Sequence, residues 1–369
     1  MISKLNFPQI GLFIFAWFVA DLLTPVLIHL AHRIGAVDRP HSYKIHQQPV
    51  PFLGGLAIFL SFSIALFSIL RFTSFEENRA VFAIIFGAFL VIVLGCLDDF
   101  RPISAVIKLV ILFGVTWLLS RYGVRITLFL SPWPDLILTL LWIVGVTSAL
   151  NSIDNMDGAA AGISAIAAFW TFYIAFYFPP VGQAGVSYVA ITLCGACLGF
   201  LRYNLFSPAR IFLGNNGALL MGFLLATLMV LAGWSRQDKV KAIIVPCAIL
   251  CVPLYDITLA TILRIKNGVV RGLVQAIVYN GRDHLSHRLV ALGLSKREAV
   301  MMMYLFGVLG GALGMILARD EVRPVTYIPI VGIALLTLVA LGIILDRAKV
   351  YESNSAPAPE KAESGARNE

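Results

Sequence analysis

Charge is what this sequence has least of. Of its 369 residues only 13% are Asp, Glu, Lys or Arg, against roughly 25% in a soluble domain. With a mean hydropathy of +0.87, that scarcity excludes a soluble enzyme. Cysteine is scarce too: Cys96, Cys194, Cys197, Cys247 and Cys251 all lie inside apolar runs. Cys194 and Cys197 have CxxC spacing, but a zinc or redox site needs polar surroundings and more ligands, so all five read as small, reduced, buried thiols. No basic stripe with interleaved aromatics is present. The net charge of +8 therefore belongs to loops facing anionic lipid and cytoplasm, not to a nucleic-acid interface. The sequence also shows no internal repeat and no second soluble domain.

What the chain does have is apolar runs of a length that crosses about 30 Å of hydrocarbon. They fall at 8–32, 53–71, 80–97, 105–121, 135–150, 159–178, 186–202, 217–234, 242–263, 299–318 and 327–345. The first is too long and too poorly flanked for a cleaved signal peptide. The expected fold is an all-α integral membrane bundle of about eleven transmembrane helices, with ten as the alternative. Residues 1–346 form one membrane domain, and 347–369, rich in Ser, Ala, Pro and Glu, form a tail expected to be disordered. Lys and Arg favour the loops after odd-numbered spans. That bias places the N-terminus outside and the C-terminus in the cytoplasm.

The polar clusters follow the same parity. They are Asp38–Gly55 (DRPHSYKIHQQPVPFLGG), Asp98–Phe100 (DDF), Asn151–Gly158 (NSIDNMDG), Arg202–Gly217 (RYNLFSPARIFLGNNG) and Gly281–Leu289 (GRDHLSHRL). All follow odd-numbered spans, so all belong on one face. A one-sided arrangement suits an enzyme better than a transporter, whose ionisable groups gather near the bilayer midplane.

Each cluster has a chemical reading. Asp98 and Asp99 end a helix, where the macrodipole disfavours anions by about 0.3–1 kcal/mol each; a bound cation would offset this. Mg²⁺ suits the position, because it takes one or two carboxylates plus substrate phosphates. Adjacent helical residues point in different directions, so the two acids are expected to have different roles. Asp154 and Asp157, with Asn151 a turn earlier, would share a face if their segment is helical. The glycines around Asn215 and Asn216 would let a helix N-terminus offer N–H groups to phosphate. His284 and His287, spaced for one helical face beside Arg288, would hold a diphosphate.

Together, in order and spacing, these motifs resemble the polyprenyl-phosphate N-acetylhexosamine-1-phosphate transferase family over residues 35–294. The resemblance implies a cytoplasmic active site in a bundle of ten or eleven helices in the bacterial inner membrane. It also implies Mg²⁺ as cofactor, with Mn²⁺ as an alternative, and a UDP-sugar and a polyprenyl phosphate as substrates. A homodimer is among the expected assemblies. The reaction implied is sugar-1-phosphate transfer with release of UMP, at the start of cell-envelope polysaccharide synthesis. The resemblance assigns Asp98, Asp99, His284 and His287 to catalysis. Lys44, Asn151, Asp154, Asn204 and Arg288 are assigned to substrate binding, and Asp98, Asp99, Asp154, Asp157 and Asn215 to metal. Two positions depart from the family pattern: Asn215 stands where an aspartate is usual, and Ser286 where many members carry histidine. The second argues against the muramyl-pentapeptide branch. The first makes a catalytically degenerate homologue the main alternative, ahead of a transporter. A CDP-alcohol phosphotransferase is rejected, because AAAGIS after Gly158 lacks the arginine and acids that chemistry needs.

Overall fold

The computed structural model describes residues 7–39, 49–69, 75–129, 131–178, 184–205, 208–235, 238–272, 275, 279, 281–348 and 350–351. The chain begins with α1 (Phe7–Ile34), then a two-stranded antiparallel clip of β1 (Val37–Asp38) and β2 (Val50–Pro51). There follow α2 (Gly54–Ile69), α3 (Phe75–Phe100), α4 (Ala105–Ser120), α5 (Pro132–Ile153), α6 (Ala159–Tyr177), α7 (Ala184–Asn204) and α8 (Gly214–Leu231). The remaining helices are α9 (Lys239–Ile249), α10 (Cys251–Lys266), the short α11 (Leu285–Ala291), α12 (Lys296–Leu317) and α13 (Pro324–Asp346).

Among the described residues eight helices are long and apolar enough to cross a membrane, or nine if α9 and α10 are one span bent by 85°. The sharp bend falls at Leu250, between Pro246 in α9 and Pro253 early in α10; proline removes a helical hydrogen bond and clashes with the preceding turn. The expected spans at 53–71 and 105–121 fall on α2 and α4, 16 residues each. At 1.5 Å per residue these reach only about 24 Å.

Both faces of α1 are apolar, and several small residues lie on the face that turns inward. On α1, Leu12, Ala16, Ala20, Thr24 and Leu27 are buried, while Ile14, Phe18, Leu22 and Val26 face outward. Small residues let backbones approach where hydrophobicity alone gives helices no reason to associate in lipid. The bundle closes around α8, whose residues from Asn216 to Met229 are all buried under α2, α3, α5 and α6. Its first turn is gripped tightly: a Cβ at Gly55 would lie 2.2 Å from the Gly217 nitrogen, and one at Gly95 2.3 Å from the Asn216 Cα.

The outlier is α13, only 6% of whose apolar window is covered by the rest of the chain. It is tied near its ends. The Tyr327 hydroxyl donates to Asp238 (2.8 Å), while Leu345 O accepts from Arg288 (3.3 Å) and Asp346 pairs with Lys266. The packed chain also runs past the expected domain end at Asp346: Ala348 and Val350 are buried, and Tyr351 reaches Asp283 and Arg288.

Candidate active site

Hydrogen bonds stitch the five polar clusters together at one end of the bundle. Asn216 Nδ2 donates to Phe52 O (2.7 Å) and to Asp99 Oδ2 (2.6 Å). Asn204 Oδ1 accepts from Gly158 N (2.9 Å), and Asn204 Nδ2 donates to Ile211 O (2.9 Å). Ser286 Oγ donates to Asn155 Oδ1 (2.5 Å). The expectation that all five share one face is thus met.

The two adjacent acids turn to different partners, as their helical spacing requires. Buried Asp98 accepts from Ile103 N and from Lys108 Nζ, both at 2.8 Å. Asp99 accepts from the backbone of Asn215 (2.9 Å) and Asn216 (3.0 Å). It ends α3, where the dipole opposes it, but caps the start of α8, where the dipole favours it. Lys108 and the N-terminus of α8 partly offset the charges of Asp98 and Asp99 within the chain. One expectation is corrected here. The N–H groups of Asn215 and Asn216, expected to face phosphate, are taken by Asp99.

Asp154 and Asp157 do not share a helical face. Helix α5 ends at Ile153, and residues 154–158 form a turn before α6. Gly158, at φ +80°, adopts the left-handed conformation that ends this turn. Its N–H is held by Asn204 and its carbonyl by the Tyr304 hydroxyl (2.6 Å). Burial, then the nearby charges of Asp99 and Asp157, push the Asp154 carboxyl up to about 7. Asp154 thus feels the charges of Asp99 and Asp157, and among the described residues no cationic side chain pairs with Asp154 or Asp157. Beside them the Asn151 Oδ1 is buried without a hydrogen-bond partner.

His284 is not on a helical face either; it precedes α11 in an extended conformation. Its Nδ1 lies 2.7 Å from Asp256 Oδ2 and its Nε2 3.2 Å from Arg264 Nη2. Arg288, expected to clamp substrate, is fully buried and donates to Asp283 O (2.7 Å), Leu345 O and the Tyr351 hydroxyl (2.7 Å). Asn204 is likewise spent on backbone groups. His287 stays half-buried; burial, then the neighbouring His284 and Arg282, hold its imidazole below the usual range. Lys44 lies outside the described residues. Among the described residues no group of three or more His, Cys, Asp or Glu side chains is placed to hold a metal ion.

Residues 81–233 match the model of glycosyl transferase family 4. The "Probable undecaprenyl-phosphate N-acetylglucosaminyl 1-phosphate transferase" of Bacillus subtilis (strain 168) is 34% identical over 92% of this chain and 94% of its own. The chain belongs to glycosyl transferase family 4. Within the family it matches the branch of undecaprenyl- and decaprenyl-phosphate N-acetylglucosamine-1-phosphate transferases. A decaprenyl-phosphate N-acetylglucosaminephosphotransferase of Mycobacterium tuberculosis (strain CDC 1551 / Oshkosh) is 29% identical over 75% of this chain and 74% of its own. The phospho-N-acetylmuramoyl-pentapeptide-transferase of Heliobacterium modesticaldum is 31% identical over a shorter stretch, 59% of this chain and 73% of its own. Membership carries polyprenyl-phosphate sugar-1-phosphate transfer at the level of the family.

Family 4 membership makes the two departures informative. Ser286 is the donor to Asn155, so DNMDG and HLSH form a matched pair across two loops. Asn215 lends its backbone, not its side chain, to Asp99. The sequence reading missed Lys108, Asp256, Arg264 and Tyr304. Asp256 carried a signal, being an ionisable residue inside an apolar run. Tyr304 carried none.

Proposed function

We propose that this protein transfers N-acetylglucosamine 1-phosphate from UDP-N-acetylglucosamine to undecaprenyl phosphate, releasing UMP, at the cytoplasmic face of a bacterial inner membrane. In this role it would catalyse the first membrane step of a cell-envelope polysaccharide. The observation that carries the reading is the acid turn of Asp154 and Asp157, which hydrogen bonds join to the other polar clusters at one end of an otherwise apolar bundle. The relatives' names supply the sugar and the lipid.

The donor types suit Mg²⁺, although among the described residues they are not gathered into a metal-holding group. Hard carboxylate oxygens and the unpartnered Asn151 Oδ1 are its preferred ligands, and it habitually leaves positions for phosphate oxygens. Asp154 and Asp157 would hold it, with Asp99 Oδ1 alongside. Bound there, the ion would neutralise charge on the diphosphate of the UDP-sugar. An oxygen of the lipid phosphate attacks the phosphorus that carries the sugar. The bond from that phosphorus to the bridging oxygen breaks, and UMP leaves with the electron pair. The lipid phosphate is largely ionised at neutral pH, so no strong base is needed. Asp98 and Asp99 are both engaged by N–H donors, which favours this direct displacement over a covalent aspartyl route. His287, neutral in its half-buried position, is assigned to hydrogen-bond the diphosphate.

Purified protein, undecaprenyl phosphate and UDP-N-acetylglucosamine are assayed for UMP across a Mg²⁺ titration. Lipid-dependent release that EDTA abolishes is expected, with Asn215→Asp lowering the Mg²⁺ requirement by adding a charge beside Asp99. If only Asn215→Asp released UMP, the chain would be a degenerate member of the family.

A further inference from the structure

Resting on the transferase reading above, the structure assigns the two histidines of the last loop to different jobs. We propose that His284 is a positioning residue, fixed by Asp256 and Arg264 as the Nδ1–H tautomer, and that His287 alone of the pair meets substrate.

The argument begins with donor chemistry. A guanidinium has N–H groups and no acceptor. Arg264 Nη2 therefore donates to His284 Nε2, which must be the unprotonated nitrogen. The ring proton then sits on Nδ1 and is donated to Asp256 Oδ2. Both ring nitrogens are thus consumed inside the chain. The other oxygen of Asp256 accepts the Leu285 N–H at 2.5 Å. One carboxylate from α10 thereby orients the imidazole and caps the start of α11, whose N-cap side chain makes no capping bond of its own.

The surroundings are built to match. Arg264 grips Asp283 through Nε (2.7 Å) and Nη2 (2.6 Å), with its guanidinium over the Tyr279 ring. Asp283 also accepts from the Tyr351 hydroxyl (3.0 Å). Asp256, Asp283, Arg264 and Arg288 are each at most 1% exposed. Two carboxylates and two guanidiniums balance, so a neutral imidazole leaves the buried group without net charge. A buried ionic network of this kind seldom stabilises more than apolar packing would; what it adds is a single geometry. Here that geometry fixes the strand-like entry to α11, with Ser286 bonded to Asn155 of the acid turn and His287 one residue further. Among the described residues His287 makes no hydrogen bond, which leaves its ring nitrogens for a ligand.

The full-length protein with ¹⁵N-labelled histidine is examined by two-bond ¹H–¹⁵N correlation in nanodiscs. One of the six imidazoles should show the Nδ1–H pattern and vanish in His284→Gln. Should that variant not fold, the resonance is assigned by eliminating the other five histidines one at a time. An Nε2–H pattern, or exchange between tautomers, overturns the proposal. In the UMP assay, glutamine keeps one donor and one acceptor on a planar group. His284→Gln should therefore retain about tenfold more activity than His284→Ala, through kcat with KM for the UDP-sugar nearly unchanged. His287→Gln should be no better than His287→Ala. Equal loss in His284→Gln and His284→Ala overturns the proposal. If wild-type protein releases no UMP, the transferase reading fails, while the ¹⁵N pattern still decides the role of His284.

Discussion

At the scale of single residues, the polar end of the bundle separates groups that anchor from groups left to react. Asp98, Asn204 and Arg288 have their polar atoms committed to the chain. Among the described residues Asp154 and Asp157 do not, and Asp154 carries a consequence for pH. Its carboxyl titrates near 7 in the fold because burial and the charges of Asp99 and Asp157 oppose ionisation, against about 3.9 in an unfolded chain. Raised in the fold, it contributes stability below the unfolded pKa, and that contribution is lost as pH rises through about 7. Metal-free wild-type protein should therefore lose thermal stability between about pH 5 and about pH 8, and Asp154→Asn should lose less. Equal losses in the two proteins, measured as Tm in detergent with EDTA, would show that Asp154 ionises without penalty. These acids were legible because charge is rare in this chain. Their partners were not, since Asp99 meets Asn215 and Asn216 across more than a hundred residues of sequence.

At the scale of elements, the contact between the α5–α6 turn and α11 is the most specific link at the site. A single bond from Ser286 Oγ to Asn155 Oδ1 joins the acid-bearing loop to the histidine-bearing one. Ser286→Ala and Asn155→Ala should each lower UMP release, and the double variant should be little worse than either alone. Such a cycle should give a coupling of about 0.5–1.5 kcal/mol; strict additivity would mean that the loops are held independently. The sequence showed both motifs and the odd serine, but not that the serine answers the asparagine. Helix existence and the break between 150 and 159 were likewise readable from apolar runs, while the turn conformation of residues 154–158 was not. NSIDNMDG contains nothing that forbids a helix until Gly158, and it is the grip of Asn204 and Tyr304 on Gly158 that holds the turn.

At the scale of the whole molecule, parity was the strongest inference the chain permitted. Polar clusters after alternate apolar runs must meet at one end, and hydrogen bonds join them there. The side of the membrane is a separate matter, set by Lys and Arg in the loops. Helix α12 offers a direct test, because exposed Lys296 begins it and exposed Asp320 lies just beyond its other end. In right-side-out vesicles an impermeant maleimide should label Asp320→Cys and spare Lys296→Cys; the reverse pattern would invert the orientation and place the acid turn outside.

Helix α13 makes the membrane itself a participant. Its 23 residues span about 34 Å, slightly more than a typical hydrocarbon core, and its sides have little protein to hold them. A helix in that position adjusts to bilayer thickness by tilting. At one end its tie is a hydroxyl on Asp238, and at the other its ties are Leu345 and Asp346, bonded to Arg288 and Lys266. Any change of tilt is therefore delivered to Arg288, the residue that braces Asp283 beside His284. The surrounding lipid is coupled mechanically to the loop that carries the histidines.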